Sequence, residues 1–345
     1  MAPPLHLPSE PDRAWDAVRR WWEAPDGPIL VRTSGSSGRP KDVVLSRRAL
    51  EASARAGLAR LGGPGQWVLA LPVTGVAGLQ VLVRSAAAGT TPVLVDDLAG
   101  VVSGLSRMTG ERAYVSLVPT QLHRLAEAGH LELLHRFDAV LVGGAALAPA
   151  LLGRCREADV RVVHTYGMSE TCGGCVYDGM PLDGVGVRVG AHGRISLAGP
   201  VLFDGYAGDR GATALVLRDG WFLTSDVGRI DDDGRLVVLG RADDVVVSGG
   251  VNVALPAVTQ ALAGLSGIRD AAAVGVPDDE WGTRVVACLV GSVAPTISDV
   301  RDHVAAVLPR TWAPRAVVLV DALPLLANGK LDRLALQRIA ADAGP

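Results

Sequence analysis

The sequence predicts an α/β protein with a large N-terminal domain on a mainly parallel, helix-covered sheet, a small antiparallel β unit, and a small α+β C-terminal domain. Three textures along the chain carry this expectation. From about residue 28 to 166 short apolar runs alternate with helical patterns, and from about 183 to 240 short strands are broken by Gly and Asp turns. Beyond Gly240, helices and strands alternate within a stretch of about a hundred residues, a common domain size. The boundary falls near Asp243, dividing the chain into 1–240 and 241–345.

In the first texture PILVRTS, QWVLALP, TTPVLVD, AYVSLVP, DAVLVGG and VRVVHTY read as strands, because apolar runs of this length suit strands buried on both faces of a parallel sheet. Ser46 stands where it can cap a helix over RRALEASARAGLARL, and Thr120 where it can start QLHRLAEAG. In the second, GVRVG, GRISLAG and ALVLRDGWFLTSDVGRI, with the DDDGRL turn, point to antiparallel strands, a small barrel being one form they can take. The third reads as helix LPAVTQALAGL, strands AAAVGV and RVVACLV, helix SDVRDHVAAVL, strand RAVVLV and a last helix.

With 345 residues, 49% of them hydrophobic and 20% charged, the chain can bury a full core and form more than one unit. A net charge of -3 with scattered arginines argues against a nucleic-acid partner, which needs a concentrated basic field. The four cysteines include one C-x-x-C pair, Cys172 and Cys175. A zinc site needs about four ligands and no second pair stands nearby, so small residues lining a loop are the expected role. MAPPLHLPSEPDRAW lacks the basic-then-apolar order of a signal peptide, and no apolar run reaches the ~18 residues of a membrane span. A cytoplasmic protein without membrane insertion is expected, and a homo-oligomer is compatible with this composition.

Four segments carry chemistry. TSGSSGRPK, residues 33 to 41, follows a strand; its hydroxyls and glycines let backbone approach an anion closely, and Lys41 adds charge, so a polyphosphate fits. It is not a Walker A loop, since Lys41 follows a proline and no Ser or Thr follows it. YGMSET, residues 166 to 171, ends another apolar strand, where open α/β sheets bind ligands: Tyr166 offers a flat face, Ser169 a hydroxyl, and Glu170 a hard oxygen for Mg²⁺. TSDVGRI and GRADD place Asp226 to accept from the vicinal hydroxyls of a ribose, and Arg241 to donate to the sugar or a phosphate. NGKLDR presents Lys330 at a tight turn. Each alone has an ordinary structural alternative: a surface loop, a strand end, a turn-forming acid, a solvated lysine.

Their order and joint presence resemble the adenylate-forming superfamily of acyl-CoA synthetases, adenylation domains and luciferases, from about residue 28 onward. The resemblance implies that Thr33, Ser34, Gly35, Ser36, Ser37, Gly38 and Lys41 hold ATP phosphates. It implies further that Gly143, Gly144 and Ala145 with Tyr166 and Gly167 take the adenine, that Ser169 lies near the α-phosphate, and that Asp226 and Arg241 hold the ribose. Lys330, Glu170 and Arg241 would be catalytic, with Glu170 on Mg²⁺. The small C-terminal domain would be mobile, turning about Asp243 to bring Ser248, Gly249 and Gly250 to a pantetheine thiol. ATP, Mg²⁺ and coenzyme A are the implied small molecules.

LPVTGVAGLQVLVRS, residues 71 to 85, resembles the acyl-pocket helix of these synthetases, and AGLQVLVRS is similar to that of compact o-succinylbenzoate:CoA ligases of menaquinone synthesis. Thr74, Gly78, Gln80, Arg84 and Met168 are the implied pocket residues. Many relatives carry an aromatic or His where Thr74 and Gly75 stand. Arg84 either meets a second carboxylate, which a fatty acid lacks, or points to solvent as exposed arginines do. In typical relatives the phosphate loop lies far into the chain, whereas Thr33 stands near its start, so a shortened N-terminal domain is expected. Two alternatives stay open: an adenylating enzyme that loads another aryl or fatty acid onto a carrier protein, and a non-catalytic nucleotide-binding relative.

Overall fold

The chain opens with a two-residue strand β1 (Leu5–His6) and helix α1 (Pro11–Glu23), whose leading proline suits a first turn and whose Ala14, Val18 and Trp21 face inward at helical spacing. The computed structural model describes residues 3–24, 27–33, 40–292, 294–324 and 331–343. Strand β2 (Ile29–Thr33) pairs parallel with β1 and antiparallel with β3 (Lys41–Leu45). The run PILVRTS therefore does not enter the parallel sheet, as its apolarity alone predicts. It belongs to a separate four-stranded sheet because the chain reverses between Thr33 and Lys41 and β3 takes up its hydrogen bonds.

Next come α2 (Arg47–Leu61), β4 (Gln66–Leu69), α3 (Val76–Ala88), β5 (Val93–Leu94), α4 (Ala99–Gly104), β6 (Ala113–Leu117), α5 (Pro119–Glu127), α6 (Leu131–Leu134), β7 (Ala139–Gly143), α7 (Pro149–Glu157), β8 (Val162–Met168), β9 (Gly173–Tyr177) and β10 (Met180–Pro181). They build a seven-stranded sheet in the order β10-β9-β8-β7-β6-β4-β5. Pairing is parallel from β5 to β8 and antiparallel for β9 and β10, so the sheet is mainly parallel, as the unbroken apolar runs predict. Val68, Val115, Val140 and Val142 pack with Leu122, Leu125 and Leu151 of α5 and α7. Each such side chain contributes ~1.5–3 kcal/mol by leaving water.

Both helix-start assignments need correction. Ser46 precedes α2, but its hydroxyl makes no cap bond and is buried without a partner among the described residues. Helix α5 begins at Pro119, not Thr120, and Gln121 reaches back to accept from the Val118 N–H at 3.0 Å, supplying the cap from within the helix.

The glycine-punctuated region forms β11 (Gly186–Val189), β12 (Arg194–Ala198), β13 (Gly205–Tyr206), α8 (Arg210–Val216), β14 (Leu217–Arg218), β15 (Trp221–Ile230) and β16 (Leu236–Arg241). The sheet path β11-β12-β15-β14, with β16 on β15, is not closed into a barrel among the described residues. The first residues of ALVLRDG belong to α8, whose start Asp209 caps by accepting from the Ala212 N–H at 2.8 Å. Strand β13 leaves this region to pair with β3.

Strands β17 (Val245–Ser248) and β18 (Val251–Ala254) form a hairpin, followed by α9 (Leu255–Leu262), β19 (Ile268–Asp278), β20 (Gly282–Gly291), α10 (Ile297–Ala305), β21 (Ala316–Leu319) and α11 (Arg333–Asp342). Alternation along the β19–β20–β21 sheet splits its apolar residues. Val285, Ala287 and Leu289 face Val258 and Leu262 of α9 and Val300 and Val304 of α10, whereas Val286 and Cys288 face Leu336 and Ala340 of α11. The protein is thus a mixed α/β structure with a large N-terminal and a small C-terminal body. Two compact units comprise Met1–Arg188, Ser196–Thr224 and Ile230–Leu236, and Val189–Ile195, Ser225–Arg229 and Val237–Pro345. Among the described residues no helix is long and apolar enough to cross a membrane.

Candidate active site

In the first unit, Thr33 and Lys41 are direct partners across β2 and β3, and the Thr33 hydroxyl donates to the Lys41 carbonyl at 3.3 Å. The ends of the polar loop are therefore pinned to each other. Ser34, Gly35, Ser36, Ser37 and Gly38 lie outside the described residues. The Lys41 ammonium sits 4.5 Å from the centre of the Tyr206 ring, within cation–π range.

The C-terminal ends of β7 and β8 lie side by side, with Gly143 opposite Thr165. A Cβ at Gly143 would stand 2.3 Å from the Thr165 hydroxyl oxygen, so the strand end has no room for a side chain there. Gly144 and Ala145 follow it to the surface, one strand away from half-buried Tyr166. The β8–β9 register slips between Tyr166 and Gly167, and a Cβ at Gly167 would come within 2.1 Å of the Gly173 carbonyl oxygen. Such a bulge re-aims the side chains after it. Thr171 fixes the turn that follows: its hydroxyl accepts from the Met168 N–H at 2.9 Å and donates to the Gly173 carbonyl at 2.7 Å. Ser169 is thereby nearly buried and Glu170 half-buried.

Sequence reasoning missed the residue that joins these two places. The Tyr206 hydroxyl donates to Glu170 Oε1 at 2.9 Å, and burial, with the Glu170 charge, pushes its pKa up. The backbone reinforces the contact, since the Phe203 N–H donates to the Glu170 carbonyl at 2.9 Å. A tyrosine in GYAGD carries no flag of its own; only the non-local β3–β13 pairing reveals it.

The expected acyl-pocket residues lie on and around α3. Thr74 is exposed ahead of the helix, Gly78 packs so closely on the Pro72 carbonyl that a Cβ would stand 2.2 Å from its oxygen, and Met168 is half-buried. Gln80 is 1% exposed, and both atoms of its amide lack partners among the described residues. Arg84 does not point to solvent: it is 3% exposed, donates to the Tyr177 hydroxyl at 3.0 Å and lies 5.0 Å from the Trp67 ring centre. Its helix, VAGLQVLVRSAAA, is apolar on every face, and that pattern is the signal for burial.

In the second unit, Asp226 lies on β15 and exposed Arg241 ends the neighbouring β16. A short turn over Ala242–Asp244 follows, with Asp243 exposed and Asp244 in an ion pair with Arg333. Gly249 and Gly250, at φ 56° and 77°, make the two-residue turn between β17 and β18, a backbone form that demands positive φ at both positions. Ser248 ahead of them is buried, and the Gly249 N–H donates to the Trp281 carbonyl at 2.9 Å. Lys330 lies outside the described residues. Of the positions expected to bind nucleotide, Asp226 and Arg241 belong to the second unit.

Cys172 and Cys175 are both free and fully buried. Burial pushes the Cys172 thiol far up and the Cys175 thiol up to about 12, so both stay protonated. Among the described residues no three His, Cys, Asp or Glu side chains cluster as a metal site would need.

Comparison with known proteins places this geometry. A family model described as "AMP-binding enzyme" matches residues 7–206, and one described as "AMP-binding enzyme C-terminal domain" matches residues 257–330. A probable 2-succinylbenzoate–CoA ligase of Mycobacterium tuberculosis (strain H37Rv) is 44% identical over 330 residues, spanning 92% of this chain and 86% of that protein. The o-succinylbenzoate CoA synthetase (MenE) of Bacillus subtilis, solved with the acyl-adenylate intermediate OSB-AMP, is 28% identical with a TM-score of 0.77, over 90% of this chain and 68% of that one. The same synthetase has also been solved with ATP and a magnesium ion. An amide bond synthetase, McbA of Marinactinospora thermotolerans, also reaches a TM-score of 0.77 at 28% identity, over 91% of this chain and 70% of that one. Family matches over both parts of the chain, and a relative this similar along most of its length, lead to one statement: the chain belongs to the AMP-binding enzyme family.

Proposed function

We propose that the protein is an ATP-dependent acid:CoA ligase that forms an acyl-adenylate and then an acyl-CoA thioester, with o-succinylbenzoate as its acid and the cytoplasm as its place of work. The observation that carries the choice of acid is Arg84. Its guanidinium is buried on α3, and among the described residues it forms no ion pair. Such a charge is costly unless something answers it, and the second carboxylate of a dicarboxylic acid would do so where a fatty acid would not. The relatives support the same acid, being 2-succinylbenzoate–CoA ligases by name.

In this function residues 1–240 bind ATP and acid, and 241–345 carry Lys330. Thr33, the loop 34–38 and Lys41 hold the phosphates; Gly143, Gly144, Ala145, Tyr166 and Gly167 take the adenine; Ser169 approaches the α-phosphate; Asp226 and Arg241 hold the ribose. A carboxylate oxygen of the acid attacks the α-phosphorus, the bond to the bridging oxygen breaks, and pyrophosphate leaves. The charge that develops is answered by Lys330, a placed donor of the kind worth about a hundredfold or more in rate. The chain then turns about Asp243 so that Ser248, Gly249 and Gly250 meet the pantetheine arm. The thiol sulfur attacks the acyl carbon, AMP leaves, and the thiol proton passes to water.

Glu170 is a half-buried carboxylate held through one oxygen by the Tyr206 hydroxyl, a hard oxygen ligand of the kind Mg²⁺ takes beside phosphates. Bound there, Mg²⁺ would neutralise phosphate charge. ATP–pyrophosphate exchange across a panel of acids, followed by coenzyme A, tests the function. Exchange with o-succinylbenzoate and none with benzoate or fatty acids, then thioester on adding coenzyme A, is expected. Exchange driven by a fatty acid, or product formed only with a carrier protein, would replace this function with the loading of a carrier.

A further inference from the structure

Glu170 and Lys41 carry opposite charges at one place in the first unit, yet they form no ion pair with each other among the described residues; both touch Tyr206 instead. The tyrosine ring is 9% exposed and fixed from several sides. Its strand pairs with β3 two residues from Lys41, its N–H donates to the Thr213 hydroxyl at 2.9 Å, and its ring meets Phe203 edge-on at 5.1 Å. The hydroxyl engages only one oxygen of Glu170, and Oε2 has no hydrogen-bond partner among the described residues.

We propose that Tyr206 is a positioning residue that keeps Glu170 and Lys41 apart and ready, the ring face holding the ammonium and the hydroxyl holding Oε1 so that Oε2 is presented to a divalent cation on a nucleoside triphosphate. A direct Lys41–Glu170 ion pair would consume both charges; the ammonium rests instead over the ring face and the carboxylate on the hydroxyl at the ring's edge. Without that hydroxyl the Glu170 side chain would swing on its own rotatable bonds, since among the described residues no other hydrogen bond aims its carboxylate. The role rests on the adenylating function proposed above.

Calorimetric titration of ATP with and without Mg²⁺, on the parent chain, Tyr206→Phe, Glu170→Gln and the double variant, tests it. Tyr206→Phe keeps the ring under Lys41, so Mg²⁺-free ATP binding should stay within about twofold, while the gain in affinity on adding Mg²⁺ should shrink roughly tenfold, the size of a lost hydrogen bond to a charged group. Glu170→Gln should remove that gain, and Tyr206→Phe should then change nothing further. An undiminished Mg²⁺ gain in Tyr206→Phe, or an equal loss with and without Mg²⁺, would overturn the positioning role, the second result marking a packing residue only. A parent chain that binds ATP in neither condition would instead overturn the adenylating function, and this role with it.

Discussion

Replacing Arg84 by Met separates what the guanidinium does for the fold from what it does for the acid. In the fold it makes one hydrogen bond to Tyr177 and one contact with the Trp67 ring. Those interactions are together worth ~1–3 kcal/mol. Against them stands the cost of holding a cation at 3% exposure without an ion pair among the described residues, which amounts to several kcal/mol in proteins generally, roughly cancelling or exceeding the gain. Methionine fills similar volume without that cost, so the melting temperature should hold or rise. For the acid, a charge-assisted hydrogen bond of ~1.5–3 kcal/mol to the second carboxylate corresponds to about 10- to 150-fold in kcat/KM. The assay is pyrophosphate release with o-succinylbenzoate and with 3-benzoylpropionate, which keeps the aliphatic carboxylate and lacks the one on the ring. The parent chain should prefer the former by that factor and Arg84→Met should treat the two nearly alike. A variant that keeps the parent's preference would refute the pairing.

Four further outcomes follow from the proposed function and from the buried thiols. Lys330→Ala should lower adenylate formation by about a hundredfold or more while thiol transfer from preformed adenylate stays largely intact; rapid-quench assays of each half-reaction read both. Asp243→Pro should do the reverse, sparing pyrophosphate release and slowing thioester formation, because the turning motion and not the first chemistry is impaired. At pH 8 the native thiol of Cys175, with its pKa pushed up to about 12, is thiolate in roughly one molecule in ten thousand, so iodoacetamide should label Cys172 and Cys175 only after denaturation. Because folding raises both thiol pKa values, the stability they contribute is fully present below the unfolded thiol range, near pH 8.5, and declines as pH climbs above it.

How far the structure was legible depended on whether the deciding interaction is local. Strands β4, β6 and β7 announce themselves because each is an apolar run buried on both faces, whereas β8 is only partly buried along most of its length. Strand β2 looks the same in sequence but joins another sheet, since its partner β3 is a short segment beginning with two charges, Lys41 and Asp42. The segment YGMSET was found at the right place, the end of β8, and its Glu170 was noticed for its chemistry. What aims that carboxylate was not, because Tyr206 arrives from 36 residues away on a strand of two residues. Arg84 shows a local signal that went unused. A single charge in a helix that is apolar on every side has nowhere wet to point, and the all-round apolar pattern outweighs the general preference of arginine for the surface.

The most direct test of adenylation and thioester formation is mass spectrometry of a single turnover with o-succinylbenzoate and ATP, first without coenzyme A and then with it. Accumulation of an acid–AMP adduct on the protein, converted to the coenzyme A thioester with release of AMP when the thiol is added, is the predicted result. Cleavage of ATP to ADP, or a thioester formed with no AMP-containing intermediate at any time, would contradict it.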